Sequence, residues 1–103
     1  MAIIVDHFQR REGKDPEALG IAAYDYCRAA LTNLGMQSCR YYWVNLDLVV
    51  IQSDAESFEV FDRPPTPEAA KASFALQDLA RVAQTERWQE PRAAEEGYRL
   101  GGR

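Results

Sequence analysis

Two short runs, Cys39 to Val44 and Leu48 to Ile51, are apolar at both parities and are separated only by Asn45-Leu46-Asp47. In a strand, neighbouring side chains point to opposite sides of the sheet. Tyr42 and Val44 therefore face one way and Tyr41 and Trp43 the other, and Leu48 and Val50 oppose Val49 and Ile51. A hairpin with no wet side needs a cover on both faces, which a sheet obtains from helices, from a second sheet or from another chain.

The rest of the chain supplies one cover. Ile3 to Gln9 reads as a first strand, with Ile3, Val5 and His7 on one side and Ile4, Asp6 and Phe8 on the other. Asp15-Pro16-Glu17 is a helix start: Asp accepts from orphan backbone N–H groups, Pro fits the first helical position and Glu favours the positive end of the dipole. Leu19, Ala22, Ala23, Tyr26, Cys27, Ala30 and Leu34 form one stripe, with Gly35 as the stop. Thr66-Pro67-Glu68 starts a second helix, predicted to run to near Trp88 before Pro91. Its stripe is Ala69, Ala72, Ala75, Leu76, Leu79, Ala80 and Ala83. Phe74 and Trp88 fall off that stripe, which calls for a second contact surface or an earlier helix end.

The order is β-α-β-β-α, with Tyr98-Arg99-Leu100 as a candidate short last strand. Residues 1–90 read as one α+β domain of ferredoxin-like βαββα(β) order, and residues 91–103 as a charged tail. Two helices cover one face of an antiparallel sheet. The other face is expected to meet the same face of a second copy, giving a homodimer.

Composition bounds the partners. A net charge of -4 argues against a nucleic-acid partner held by a basic face. No run is long enough to span a bilayer, and the N-terminus lacks the basic and apolar regions of a signal peptide, so no membrane partner and a cytoplasmic location are expected. Cys27 and Cys39, with the single histidine His7, match no zinc spacing, so no metal is expected, and they read as buried free thiols.

The segment Gln52-Ser53-Asp54-Ala55-Glu56-Ser57-Phe58-Glu59-Val60-Phe61 resembles the stretch after the third strand in antibiotic-biosynthesis-monooxygenase-like proteins of the dimeric α+β barrel superfamily. Glu56, Phe58 and Phe61 fit that spacing, and Gln52 stands where the family has a strand-end aromatic. The resemblance spans about residues 2–90. It implies a ferredoxin-like chain dimerising through its sheet and a small aromatic or polyketide-like substrate oxidised without metal or other cofactor. In haem-degrading relatives an Asn near the end of the first strand and a Trp ending the third face the pocket. His7 matches the former position and Gln52 the latter, and the missing Trp argues against haem degradation.

The candidate chemistry follows. His7 is the candidate catalytic base, since its unperturbed pKa lies near neutrality. Asp6, its neighbour, points to the opposite side and cannot orient it. The alternative for His7 is a structural hydrogen bond at a strand end. Tyr41, Trp43, Asn45 and Gln52 are candidate substrate-binding residues, because Tyr and Trp join a flat apolar face to a polar tip. Core or dimer packing is the competing reading. Arg40 is expected at the wet rim, and Glu56, Glu59 and Asp62, at i, i+3 spacing, on a solvated helix face. A non-catalytic binding or structural dimer is the alternative to the enzyme.

Overall fold

The computed structural model describes residues 1–89. The elements are β1 (Ala2–Arg10), α1 (Pro16–Ala30), β2 (Met36–Asn45), β3 (Leu48–Ala55), the single turn α2 (Glu59–Asp62), α3 (Pro67–Leu79) and β4 (Ala80–Gln89). The strands form one antiparallel sheet in the order β2-β3-β1-β4. This is the ferredoxin-like α+β arrangement, with α1 and α3 packed together over one face. The candidate strand at Tyr98 and the tail lie outside the described residues.

Cross-strand partners fix the faces. Ile4, Asp6 and Phe8 oppose Ser53, Ile51 and Val49 on β3, and Cys39, Tyr41 and Trp43 of β2 continue that row. These residues look toward the helices. Phe8, Val49 and Ile51 close the core with Leu19, Ala23 and Cys27 of α1 and Leu76 of α3, all less than a tenth exposed. Small residues on α1 let the helix lie close. A Cβ on Gly20 would sit 3.0 Å from the Trp43 ring, so the missing side chain is what admits the indole there.

Both helices start as the sequence predicts. Asp15 accepts from the backbone N–H groups of Glu17 and Ala18, and the Thr66 hydroxyl accepts from that of Ala69 at 3.2 Å. Both end earlier than predicted. α1 stops at Ala30 rather than near Leu34, which is 83 % exposed. The following residues tighten into i→i−3 turns, and the Thr32 hydroxyl donates to the Ala29 carbonyl at 2.6 Å. Gly35 still reverses the chain, at φ 92°.

The larger correction is at the second helix. It ends at Leu79, and the residues predicted to complete it form β4 along the free edge of β1. Arg11 terminates the helix by donating its backbone N–H to the Leu79 carbonyl at 2.8 Å and its Nε–H to that of Gln77 at 2.9 Å. From Val82 onward β-branched and aromatic residues suit a pleated surface, and pairing with β1 outweighs the helical propensity of the alanines. Where Ala83 bulges, the register shifts between His7 and Phe8.

The outer sheet face is mixed rather than apolar. Ile3, Val5, Leu48, Val50, Tyr42 and Trp88 lie on it with His7, Arg40, Gln52, Asp54, Gln84 and Glu86. His7, Gln84 and Glu86 bond to one another, as do Gln52 and Asp54. Glu86 alone accepts from His7 Nε2 at 2.8 Å, Gln84 Nε2 at 3.3 Å and Trp88 Nε1 at 3.3 Å.

Candidate functional site

Between the sheet and the helices, at the end where β1 begins and α3 starts, lies a cavity of about 270 Å³. Its floor is Ile4, Asp6 and Ser53. Tyr26 and Ala30 of α1 form one wall, Val60 and Phe61 of α2 another, and Ala69 and Ser73 of α3 a third. The space exists because α1 stops at Ala30 and the chain swings through Asn33 to Met36 instead of continuing over the sheet. Asn33 fixes that swing by accepting the Thr66 backbone N–H at 2.9 Å on Oδ1. The Thr32 and Thr66 hydroxyls meet at 2.6 Å, so the end of α1 and the cap of α3 are tied together at the rim.

Asp6 is the carboxyl of this cavity. It sits on the helix-facing row between Ile4 and Phe8, and Thr85 of β4 donates its hydroxyl to Oδ1 at 2.6 Å. Burial pushes the Asp6 pKa up, with the Thr85 hydrogen bond and the nearby His7 opposing the shift. Tyr26 faces it from the helix. Burial raises the phenol to about 12, with smaller contributions from Cys39, Asp6 and Cys27. It is therefore a proton-bearing donor near neutral pH. The site joins one proton acceptor, one phenolic donor, the Ser53 and Ser73 hydroxyls and an apolar wall of Ile4, Met36, Val60 and Phe61. Arg63 stands at the mouth, 3.7 Å from Glu59 and with Nη1 donating to the Leu34 carbonyl. Among the described residues no cluster of three metal-ligating side chains occurs.

The structure does not bring the sequence-predicted residues together in one pocket. His7 projects from the outer face and bonds Glu86, so it does not share a cavity with Tyr41 or Trp43. Tyr41 and Trp43 do look toward the helices, but they pack against α1 beyond the cavity. Tyr41 lies against the core and Trp43 over Gly20. Asn45 Oδ1 accepts the Asp47 backbone N–H at 2.8 Å and shapes the hairpin turn. Gln52 lies on the outer face, its Nε2 3.3 Å from Asp54 Oδ1. Arg40, Glu56, Glu59 and Asp62 are exposed, as expected, but Glu56 precedes α2, so the three carboxylates do not share the predicted helix face.

The helix-facing set was missed because each member has an ordinary explanation. Tyr26 reads as one more member of an apolar stripe, and Asn33 falls inside the helix predicted to run to about Leu34. The signal for Asp6 was its parity: a carboxyl between Ile4 and Phe8, on the side that must face helices. The aromatic pair after the third strand is better placed. Phe61 lines the cavity, and Phe58 packs behind it in a tilted arrangement, 6.4 Å between ring centroids, with the Arg87 guanidinium 4.6 Å over the Phe58 ring.

No protein-family model matches the chain, and no curated protein matches it either. Solved structures do. The cofactor-independent oxygenase SnoaB from Streptomyces nogalater superposes with TM-score 0.74 at 11 % identity, over 90 % of this chain and 95 % of that one. A Mycobacterium tuberculosis protein gives 0.67 at 15 % identity, over 90 % and 97 %. An antibiotic biosynthesis monooxygenase gives 0.65 at 10 % identity, over 87 % and 98 %. At such identities the likeness speaks to the backbone alone, and the chain has the ferredoxin-like α+β fold of the antibiotic-biosynthesis-monooxygenase-like proteins.

Proposed function

We propose that this chain binds a small aromatic or polyketide-like molecule in the cavity above Asp6 and promotes a monooxygenase-like oxidation of it, working as a homodimer. The observation that carries the reading is the Asp6 carboxyl, raised in pKa by burial and facing a phenol inside a cavity with apolar walls. Once ionised, such a carboxylate is a stronger base than one in water. The fold it shares with SnoaB, described as a cofactor-independent oxygenase, agrees with this chemistry.

The steps assigned to the chain are few. The apolar wall takes up the ring system and excludes water. Tyr26 donates a hydrogen bond to a carbonyl or phenolate oxygen of the substrate. Asp6 removes a proton from an activated methylene, and the resulting anion reacts with dioxygen. Converting CH₂ to C=O with O₂ releases one water, so atoms and electrons balance with no external reductant. Thr85 holds the carboxyl in one orientation, a role that requires only its hydrogen bond.

The test is turnover on a panel of hydroxylated aromatic ketones under air. Asp6→Asn keeps the shape and the Thr85 hydrogen bond, and is expected to lower the rate by about 10²–10⁴-fold, the usual contribution of a positioned general base. An unchanged rate removes Asp6 from the mechanism. The cavity volume supports a second reading. At about 270 Å³ it lies at the small end for ligand sites, which also suits a non-catalytic binder of a one-ring compound. Saturable binding with no oxygen uptake decides for that reading.

A further inference from the structure

On the far side of α1 from the groove it shares with α3, Cys27 and Cys39 line one surface depression of about 280 Å³ together with Tyr24, Arg28, Arg40 and Tyr41. Cys27 is buried on α1 and Cys39 half-buried on β2. Both belong to the contact between that helix and the sheet. The two side chains meet where α1 packs on β2, and Cys39 Sγ lies 3.5 Å from Ser53 Oγ. Cys39 looks toward the helices, so a second copy on the outer sheet face leaves it uncovered.

We propose that Cys27 and Cys39 are a peroxide-oxidisable dithiol that closes to an intramolecular disulfide linking α1 to β2. Access sets the order of events: Cys39 is half-buried on the edge strand β2, whereas Cys27 is buried on α1. Side-chain hydrogen bonding also holds the Cys39 thiol below its ordinary pKa, against the opposing effects of burial, Asp54 and Asp6. Thiolate character and access select the sulfur attacked by an oxidant. Cys39 as thiolate attacks a hydroperoxide, the O–O bond breaks, and Cys39 becomes a sulfenic acid as hydroxide or alkoxide leaves. Cys27 then attacks the sulfenic sulfur, the S–O bond breaks and water leaves. Overall two thiols and one hydroperoxide give one disulfide, one water and one water or alcohol.

The bridge has a consequence for the cavity. Tyr26 precedes Cys27 and Ser53 bonds Cys39, and both line the cavity. Closing the bridge breaks the Cys39–Ser53 hydrogen bond and frees the Ser53 hydroxyl toward the cavity. The oxidation itself stands whether or not the cavity proves catalytic.

The experiment treats the folded full-length chain with stoichiometric hydrogen peroxide, blocks residual thiols by alkylation and weighs the intact protein. The expected result is loss of two hydrogen masses per chain, a Cys27–Cys39 cross-linked peptide under non-reducing conditions, and full reversal by dithiothreitol. Cys27→Ala is expected to stop at a Cys39 sulfenic acid, trapped by dimedone. Cys39→Ala should protect Cys27 from oxidation in the folded state. Thiols that stay free under excess peroxide, or a bridge formed only between chains, overturn the proposal in the wild-type protein, even if a variant fails to fold.

Discussion

Asp6 carries a conflict between stability and chemistry. Its folded-state pKa lies above its ordinary value of 3.8. Between the two values the folded chain holds more protons than the unfolded chain, so this group's contribution to stability falls as pH rises through that window. The cost is fully present above the folded pKa and absent below the unfolded one. Asp6→Asn removes it while keeping the acceptor for Thr85. We expect the variant to melt a few degrees higher at neutral pH, with a flatter acid-side dependence, even as turnover falls. Thermal melts across the acid range check this, and a variant that melts lower at neutral pH would mean that the carboxylate is stabilising. Tyr26→Phe separates donation from packing, since it removes only the hydroxyl. Ligand affinity should weaken by about 3–10-fold, the range of one neutral hydrogen bond, as read by calorimetry. These two residues also mark where sequence reading stopped. Parity correctly put His7 and Asp6 on opposite sides of the sheet. It could not say which side would hold a cavity, because that depends on where α1 ends.

At the scale of elements, helix starts were legible and helix ends were not. Asp15 and Thr66 cap with their own side chains, so the signal is local. The end of α3 is imposed by Arg11, distant in sequence, and by the vacant edge of β1. No periodicity within residues 80–89 could reveal that partner, although the misfit of Trp88 on the predicted stripe recorded the conflict. The turn after α1 is tested by Gly35→Ala. Gly35 has φ 92°, and an added Cβ would sit 2.7 Å from Val60 Cγ2. Left-handed backbone and a blocked side chain together should cost about 1–3 kcal/mol. Val60 lines the cavity, so the variant should also lose ligand affinity. Chemical denaturation with the midpoint lowered and the slope unchanged is the expected record. A neutral effect would show that the turn relaxes without disturbing α2.

At the scale of the molecule, the outer sheet face is the surface through which we expect the chain to dimerise. It lacks the clean alternation of a wet face, since Trp88, Tyr42 and Val50 share it with bonded polar groups. The bonded groups tolerate burial because they already satisfy one another, whereas Arg40, on the edge strand β2, keeps to the wet rim. Glu86 is held by His7, Gln84 and Trp88, and Asp54 by Ser38 at 2.8 Å and by Gln52, and a hydrogen-bonded polar group is far cheaper to bury than a free one. Four strands about 4.8 Å apart and roughly 30 Å long offer a footprint on the order of 500–600 Å². With side-chain relief this approaches the ~800 Å² per partner of a standard interface. A homodimer through this face is the expected state, with light scattering at micromolar concentration reading twice the chain mass. His7 then acts at the interface instead of in the cavity: His7→Ala strands the Glu86 carboxylate with one donor fewer and should shift the equilibrium toward monomer, leaving ligand affinity in the cavity nearly unchanged. Val50→Arg places an unpaired charge at the centre of the same face and should abolish the dimer outright. A wild-type chain that scatters as a folded monomer, or a Val50→Arg chain that still dimerises, would move the interface to another surface.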